Sequence, residues 1–415
     1  MPLTLQLTKK ISPAQWFMLS SLLVNAGNYI YNLVLGRLLG PEAFADAAVM
    51  VTFLLILSFI AMTFQLTMAK FTAQVEEAQV PALFKLINRW AMCFGIGMGL
   101  LVMAFAKSLQ VLFNTSSHEM FLIFGAALPL YFLMSTNRGS FQGKQQLHKL
   151  SFTYQGEMLA RLVITLALIY LLDFNATILI AVGIAVSFVV GLFPFSRNKS
   201  SHATIALDVA FLHKIRHFLW ITALYEGTQI IINNSDILLV KHYFTSYEAG
   251  LYAALALIGR AVYFVTWMFV MILLPRVVEA HKRGLPHQSL LYKNLKNIGG
   301  LCLMIVILCF TFPRLGVQVL FGTAYVEIAH LLGPYALATS LFALANVFVY
   351  YSLSLSRYQP VFMAALFGAL QVIGVVLMHD SLFQVVLVQI VLMLVHLVLQ
   401  IVFFVKTSSK SAHRR

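Results

Sequence analysis

The stretch that decides the fold reads "NLVLGRLLGPEAFADAAVMVTFLL", Asn32 to Leu55. Two apolar runs flank a short turn that holds Arg37, Glu42 and Asp46. A helix needs about 20 apolar residues to cross about 30 Å of hydrocarbon, so two such runs joined by a polar turn describe a membrane hairpin. Further on, "ILLVKHYFTSYEAGLYAALALI", Ile237 to Ile258, repeats the order: apolar run, basic residue, polar turn, small and apolar residues.

Composition extends this pattern to the whole chain. At 60% hydrophobic and 10% charged residues, with a mean hydropathy of +0.87, the sequence lies far outside the range of soluble domains. Backbone polar groups in lipid must be satisfied within the segment, which leaves helices or closed barrels. The apolar runs here are continuous rather than alternating every second residue, so barrels fail and an all-α polytopic membrane protein remains.

The formal charge of +14 does not point to nucleic acid, because Lys and Arg cluster in short loops on alternate sides of the apolar runs. About twelve spans are predicted, near 14–38, 43–72, 81–106, 117–142, 150–172, 175–195, 212–241, 246–275, 288–312, 325–355, 359–378 and 382–405. With the N-terminus inside, the cytoplasmic face collects Lys9, Lys10, Lys85, Arg89, Arg138, Lys144, Lys149, Lys214, Arg216, Lys293, Lys296, Arg357 and Lys406, among others. The opposite face keeps Arg37, Lys107, Lys241 and Arg314. That asymmetry predicts both termini in the cytoplasm. Lys9 and Lys10 lead into a full span rather than a short cleavable signal. Cys93, Cys302 and Cys309 sit inside apolar runs without ligand spacing, and no metal or cofactor is expected.

An offset of 205 (233 minus 28) lays Asn28 over Asn233, Arg37 over His242 and Ala45 over Gly250. Six intervening spans preserve orientation, so the halves read as two parallel six-helix bundles around a central cavity. The expected domains are 1–196 and 212–415, joined by a cytoplasmic linker over 197–211.

Polar groups at membrane depth mark the candidate site, because burying them in lipid is costly. The first span holds Asn28 and Asn32. The seventh holds Glu226, Gln229, Asn233 and Asp236, spaced three, four and three, which is one stripe on a helix. Such a stripe lines a wet cavity or hydrogen-bonds to a neighbouring helix. Arg260, midway along the eighth span, pairs with Glu226 or Asp236, or offers a guanidinium to a phosphate or pyrophosphate. Arg37 and Lys70 are further cationic candidates, or snorkelling residues near an interface. Glu157 and Arg161 read as a self-neutralised i,i+4 pair. Glu226 and Asp236 are candidate proton or sodium sites. "GSFQGK", Gly139 to Lys144, is too short for a P-loop, so transport would be secondary, and no catalytic constellation emerges.

The opening stretch resembles the polysaccharide-transporter branch of the superfamily that also holds multidrug and toxin extrusion proteins and the lipid II flippase. Arg37, Gly40, Pro41, Glu42 and Phe44 match that branch's first loop, while Ala45 and Asp46 depart from it. "EAGLYAAL", Glu248 to Leu255, keeps the pattern better, and "LTMAKFTAQ", Leu66 to Gln74, is similar to the branch's end of span two. The resemblance implies a flippase. It would move an undecaprenyl-pyrophosphate-linked oligosaccharide from the inner to the outer leaflet of the bacterial inner membrane, the polyprenyl tail staying in membrane lipid. A monomer is expected because the two halves already supply both sides of the cavity, and no enzymatic activity because no catalytic constellation emerges. Asn28, Asn32, Gln229 and Asn233 would suit sugars, and Arg260, Arg37 and Lys70 a pyrophosphate. A cation-coupled multidrug exporter of the same superfamily is the alternative, and a non-transporting assembly factor a third.

Overall fold

The computed structural model describes residues 13–196, 208–259, 277, 288–355 and 357–412. The opening hairpin is a single long element, α1 (Pro13–Thr72), broken at Gly40. Gly40 has φ +72 and ψ 174, a conformation that side-chain-bearing residues rarely adopt. Pro41 follows at the start of the second segment, where its missing N–H leaves no helical hydrogen bond unmade. The turn read from the sequence is therefore a two-residue break.

After α1 come α2 (Val80–Ala104), the short α3 (Ala106–Leu112), α4 (Glu119–Gly143), α5 (Leu147–Leu171), α6 (Ala176–Gly191) and α7 (Val209–Tyr243). A helix over 246–259 is α8. There follow α9 (Gln288–Thr311), α10 (Pro313–Phe321), a 3₁₀ segment (Thr323–Leu331), α11 (Leu332–Ser354), α12 (Gln359–Leu377) and α13 (Leu382–Ala412). Local chemistry sets the boundaries. Asn175 accepts from the Thr177 N–H at 2.9 Å and caps α6. Pro313 opens α10, and Gly322, at φ +99, closes it. That short helix and the 3₁₀ segment lie partly in a stretch that hydropathy alone reads as loop.

Among the described residues eight helices are long and apolar enough to cross a membrane, and the first of them contains the Gly40 break. Ala176–Gly191 is a shorter apolar helix. Large apolar side chains such as Leu100, Leu171, Phe362 and Val405 are exposed, as a surface solvated by lipid tails requires. The fold is all-α and polytopic.

The chain divides into two compact units: one with the residues up to Tyr31 and Leu57–Glu226, the other with Asn32–Ile56 and the residues from Gly227. In unit 1, α2 packs on α4, and α6 on both α4 and α5; Phe64, Phe94 and Phe132 meet with ring centroids 5.3 to 5.7 Å apart. In unit 2, α11 packs on α9 and α13, and α12 on α13. The opening stretch belongs to unit 2, where Phe44 meets Phe321 at 5.7 Å and Tyr325 at 6.2 Å. Tyr325 donates to the Gly36 carbonyl at 2.7 Å. A Cβ added to Gly250 would come within 1.8 Å of the Pro41 carbonyl oxygen, so the two matching stretches touch, backbone to backbone, at a position only glycine permits.

Candidate functional site

Among the described residues, each unit holds a buried polar constellation. In unit 1, Arg138 on α4 donates to Glu157 on α5 at 2.8 Å, and to the Thr153 carbonyl at 2.8 Å. Its guanidinium also stacks 4.0 Å over the Tyr154 ring. Arg161, one turn along α5, reaches the other oxygen of Glu157 at 3.3 Å and donates to Asn28 on α1. Its Nε has no protein partner. Arg138, Glu157 and Arg161 are all buried.

The i,i+4 pair read from the sequence is present but not self-neutralised. Glu157 is shared by two guanidiniums, and the cluster keeps one surplus positive charge. Arg138, counted from the sequence as a loop cation, is 2% exposed inside α4. Its place within the apolar run "FLMSTNRGSF" was the available signal. Burying three charges is stable only where each is paired and hydrogen-bonded, and the surplus guanidinium suits an anion such as phosphate.

In unit 2, Asp236 on α7 is 2% exposed. One of its oxygens accepts from Tyr335 at 2.7 Å and from Tyr252 at 3.2 Å. Gln389 on α13 donates to the Tyr252 hydroxyl at 2.7 Å. Gln371 on α12 donates to the Ile232 carbonyl and to Ser235, both at 3.2 Å. Asn233, Asp236, Tyr335, Thr339, Gln371 and Gln389 line a cavity with about 30 Å³ of room for water centres, enough for one or two waters. Half of the predicted stripe on α7 thus meets a cavity. Gln371 and Gln389 were visible as lone amides inside apolar runs; Tyr252 and Tyr335 gave no such signal.

An ion pair in unit 2 explains Asp46. Lys241, another residue counted as a loop cation, is 1% exposed and reaches Asp46 at 2.8 Å. It also donates to Ser246 at 2.9 Å. Asp46 and Lys241 tie the segment after the Gly40 break to α7 and the start of α8.

The remaining predicted residues are dispersed. Arg37 is exposed, and its guanidinium donates to the Leu320 carbonyl at 2.8 Å and to that of Val319, at the C-terminal end of α10. A cation there satisfies carbonyls that the helix leaves open. Lys70 is exposed, its ammonium 3.7 Å from the centre of the Phe218 ring. Asn32 is half-buried. Glu226 and Gln229 lie on α7 with side chains outside the described residues, and Arg260 lies outside them altogether. Among the described residues no three His, Cys, Asp or Glu side chains converge as a metal site.

Comparisons with known proteins agree on the architecture. A multidrug resistance MATE family transporter of the MOP superfamily, in an inward-facing conformation, superposes with a TM-score of 0.79 at 11% identity, covering 94% of this chain and 96% of that one. The lipid II flippase MurJ, in an inward closed conformation, gives 0.73 at 12% identity over 94% and 87%. The Vibrio cholerae MATE transporter VcmN gives 0.67 at 13% identity over 95% of each chain. At such identities the likeness establishes the fold alone, which this chain shares with these three structures. No curated protein matches the sequence. Residues 34–330 match the family described as polysaccharide biosynthesis protein. That span covers well over half of the chain, beginning within the opening stretch, and the chain belongs to the polysaccharide biosynthesis protein family.

Proposed function

We propose that the protein is a secondary transporter that moves its substrate across a membrane by alternating access. The observation that carries this reading is the whole-length likeness to transporters of one superfamily, joined to the family match over residues 34–330. The proposed setting is the bacterial inner membrane, with twelve spans, both termini cytoplasmic, and two parallel six-helix bundles (1–196 and 212–415) in a monomer.

For the cargo, the first reading is an undecaprenyl-pyrophosphate-linked oligosaccharide. It is supported by the polysaccharide family match, by the likeness to a lipid II flippase and by the surplus cation of the Arg138–Glu157–Arg161 cluster. Asn28, Asn32, Gln229 and Asn233 would meet sugar hydroxyls, and Arg260 the pyrophosphate. Arg37 and Lys70 would first have to release the α10 carbonyls and the Phe218 ring. Asp236, with Glu226, would bind the coupling H⁺ or Na⁺ beside the unit 2 cavity.

The second reading is a cation-coupled multidrug exporter. Fold likeness favours it: MATE transporters recur among the matching structures with near-complete coverage. A buried carboxylate held by two tyrosines would also suit a cationic drug.

Reconstitution separates the two. Purified protein in liposomes would be assayed for leaflet transfer of a labelled undecaprenyl-pyrophosphate oligosaccharide, with Arg260→Gln in parallel. Transfer that disappears in the folded variant supports the glycan cargo. Absence of transfer, with proton- or sodium-driven export of an organic cation from the same vesicles, replaces it with the exporter.

A further inference from the structure

Unit 2 holds buried polar groups that the Asp236 cavity leaves unused. On α13, Gln389, Met393, His396 and Gln400 are spaced four, three and four; on α11, Tyr335, Thr339, Phe342 and Asn346 repeat that spacing. Each set is therefore one face of its helix, and all eight residues except the half-buried Thr339 are buried. α11 and α13 pack together. At one level Tyr335, Thr339, Phe342, Gln389 and Met393 share the Asp236 cavity. Farther along both helices, Phe348 and Tyr351 meet Phe404 at 5.7 and 5.6 Å. The two helices thus run in the same direction, and Asn346, His396 and Gln400 lie between those two levels.

The hydrogen bonds there are incomplete in a complementary way. Gln400 Nε2 donates to the Pro360 carbonyl at 3.1 Å and lies 3.0 Å from His396 Nε2. With both its hydrogens so used, His396 Nε2 is the acceptor, which assigns the ring proton to Nδ1. That Nδ1, the Gln400 Oε1 and both amide atoms of Asn346 have no protein partner. His396 is 0% exposed, and its ring stacks on Phe367 at 5.1 Å. Donors and acceptors left open at one depth are what bridging water satisfies. α12 has no titratable residue, those of α11 are Tyr335, Tyr350 and Tyr351, and the nearest charge along α13 is Lys406.

We propose that His396 is an internal proton-binding site, reached by water held between the α11 and α13 faces and continuous with the Asp236 cavity. Uptake relays a proton from bulk solvent through that water to Nε2. The Gln400 amide turns as the proton arrives, giving up its bonds to Nε2 and the Pro360 carbonyl, so that its open Oε1 accepts from the new N–H. A role in driving transport rests on the secondary-transporter reading; the protonation itself does not.

The test is NMR of ¹⁵N-histidine-labelled protein in lipid bilayers, with His396→Gln identifying one ring among the 12 histidines. Expected are an Nδ1–H neutral tautomer, magnetisation transfer from water to that ring, and a reversible titration. Asn346→Leu, which closes the polar face with a methyl-bearing side chain, should abolish the water transfer. Should His396→Gln misfold, sequential assignment of uniformly labelled wild type through Val395 and Leu397 identifies the ring; a His396 ring that receives no water signal, or that does not titrate, overturns the proposal. Gradient-driven cargo uptake is measured on the same preparation. Wild-type uptake with a silent ring sinks the proposal and keeps the transporter; a hydrated, titrating ring without uptake of any cargo does the reverse.

Discussion

Separating Asp46 from Lys241 should cost more than any substitution on the lipid-facing surface. The two charged groups are 2.8 Å apart, with side chains 6% and 1% exposed. At an effective dielectric constant of about 20, a unit pair at that distance attracts by about 6 kcal/mol. Most of this offsets the desolvation of the two ions, so the intact pair contributes little net stability. Removing one member is different. Lys241→Met leaves the Asp46 carboxylate buried without its cation, at a cost of about 3–5 kcal/mol. Asp46→Asn does the same to the ammonium, softened by the Ser246 hydroxyl at 2.9 Å. The double variant buries neither charge, so its loss should be smaller than the sum of the singles by about 2–3 kcal/mol, the range of contacting pairs. Equilibrium unfolding of the four proteins in mixed micelles, followed by tryptophan fluorescence, measures that coupling. Single losses that simply add in the double variant would refute the reasoning and return Asp46 and Lys241 to the status of independent surface charges.

Other substitutions follow from the same geometry. Gly250→Ala drives a Cβ into the Pro41 carbonyl, which is backbone and cannot rotate away; the loss should reach or exceed the upper end of the roughly 1–3 kcal/mol range for overpacking, and wild-type stability would disprove the close approach. Glu157→Gln leaves two guanidiniums facing each other and should destabilise unit 1 by about 3–5 kcal/mol, whereas Arg161→Gln, which leaves the Arg138–Glu157 pair intact, should cost clearly less; the reverse order in a chemical unfolding series would overturn the shared-carboxylate arrangement. Arg37→Gln removes a cation from the end of α10 and should cost only about 0.3–1 kcal/mol. If transport nevertheless collapses in that folded variant, Arg37 acts on the cargo beyond its hold on α10.

How far the sequence reaches differs between fold and site. Apolar runs of membrane length and the turn at Gly40-Pro41 are local properties. A continuous apolar run in lipid has one way to satisfy its backbone, so helices such as α2, α5 and α12 lie within a few residues of the spans read from hydropathy. The stripe on α7 was equally legible, because a period of 3.6 residues puts Asn233 and Asp236 on one face.

Pairing was not legible. Arg138 and Lys241 sit near the ends of their spans, where a cation that snorkels to an interface and one buried against a carboxylate have the same sequence. Only tertiary packing, which brings Glu157 to one and Asp46 to the other, decides between them. The same holds for Tyr252 and Tyr335, ordinary aromatic residues in apolar helices until Asp236 is set between their hydroxyls. By itself the sequence determined the class of solvent, the helices and the shared face of Asn233 and Asp236, because these depend on local hydrophobicity and period. Which charges neutralise one another, and which remain available to a substrate or a proton, depends on contacts between residues far apart in the chain, and only the folded structure decided that.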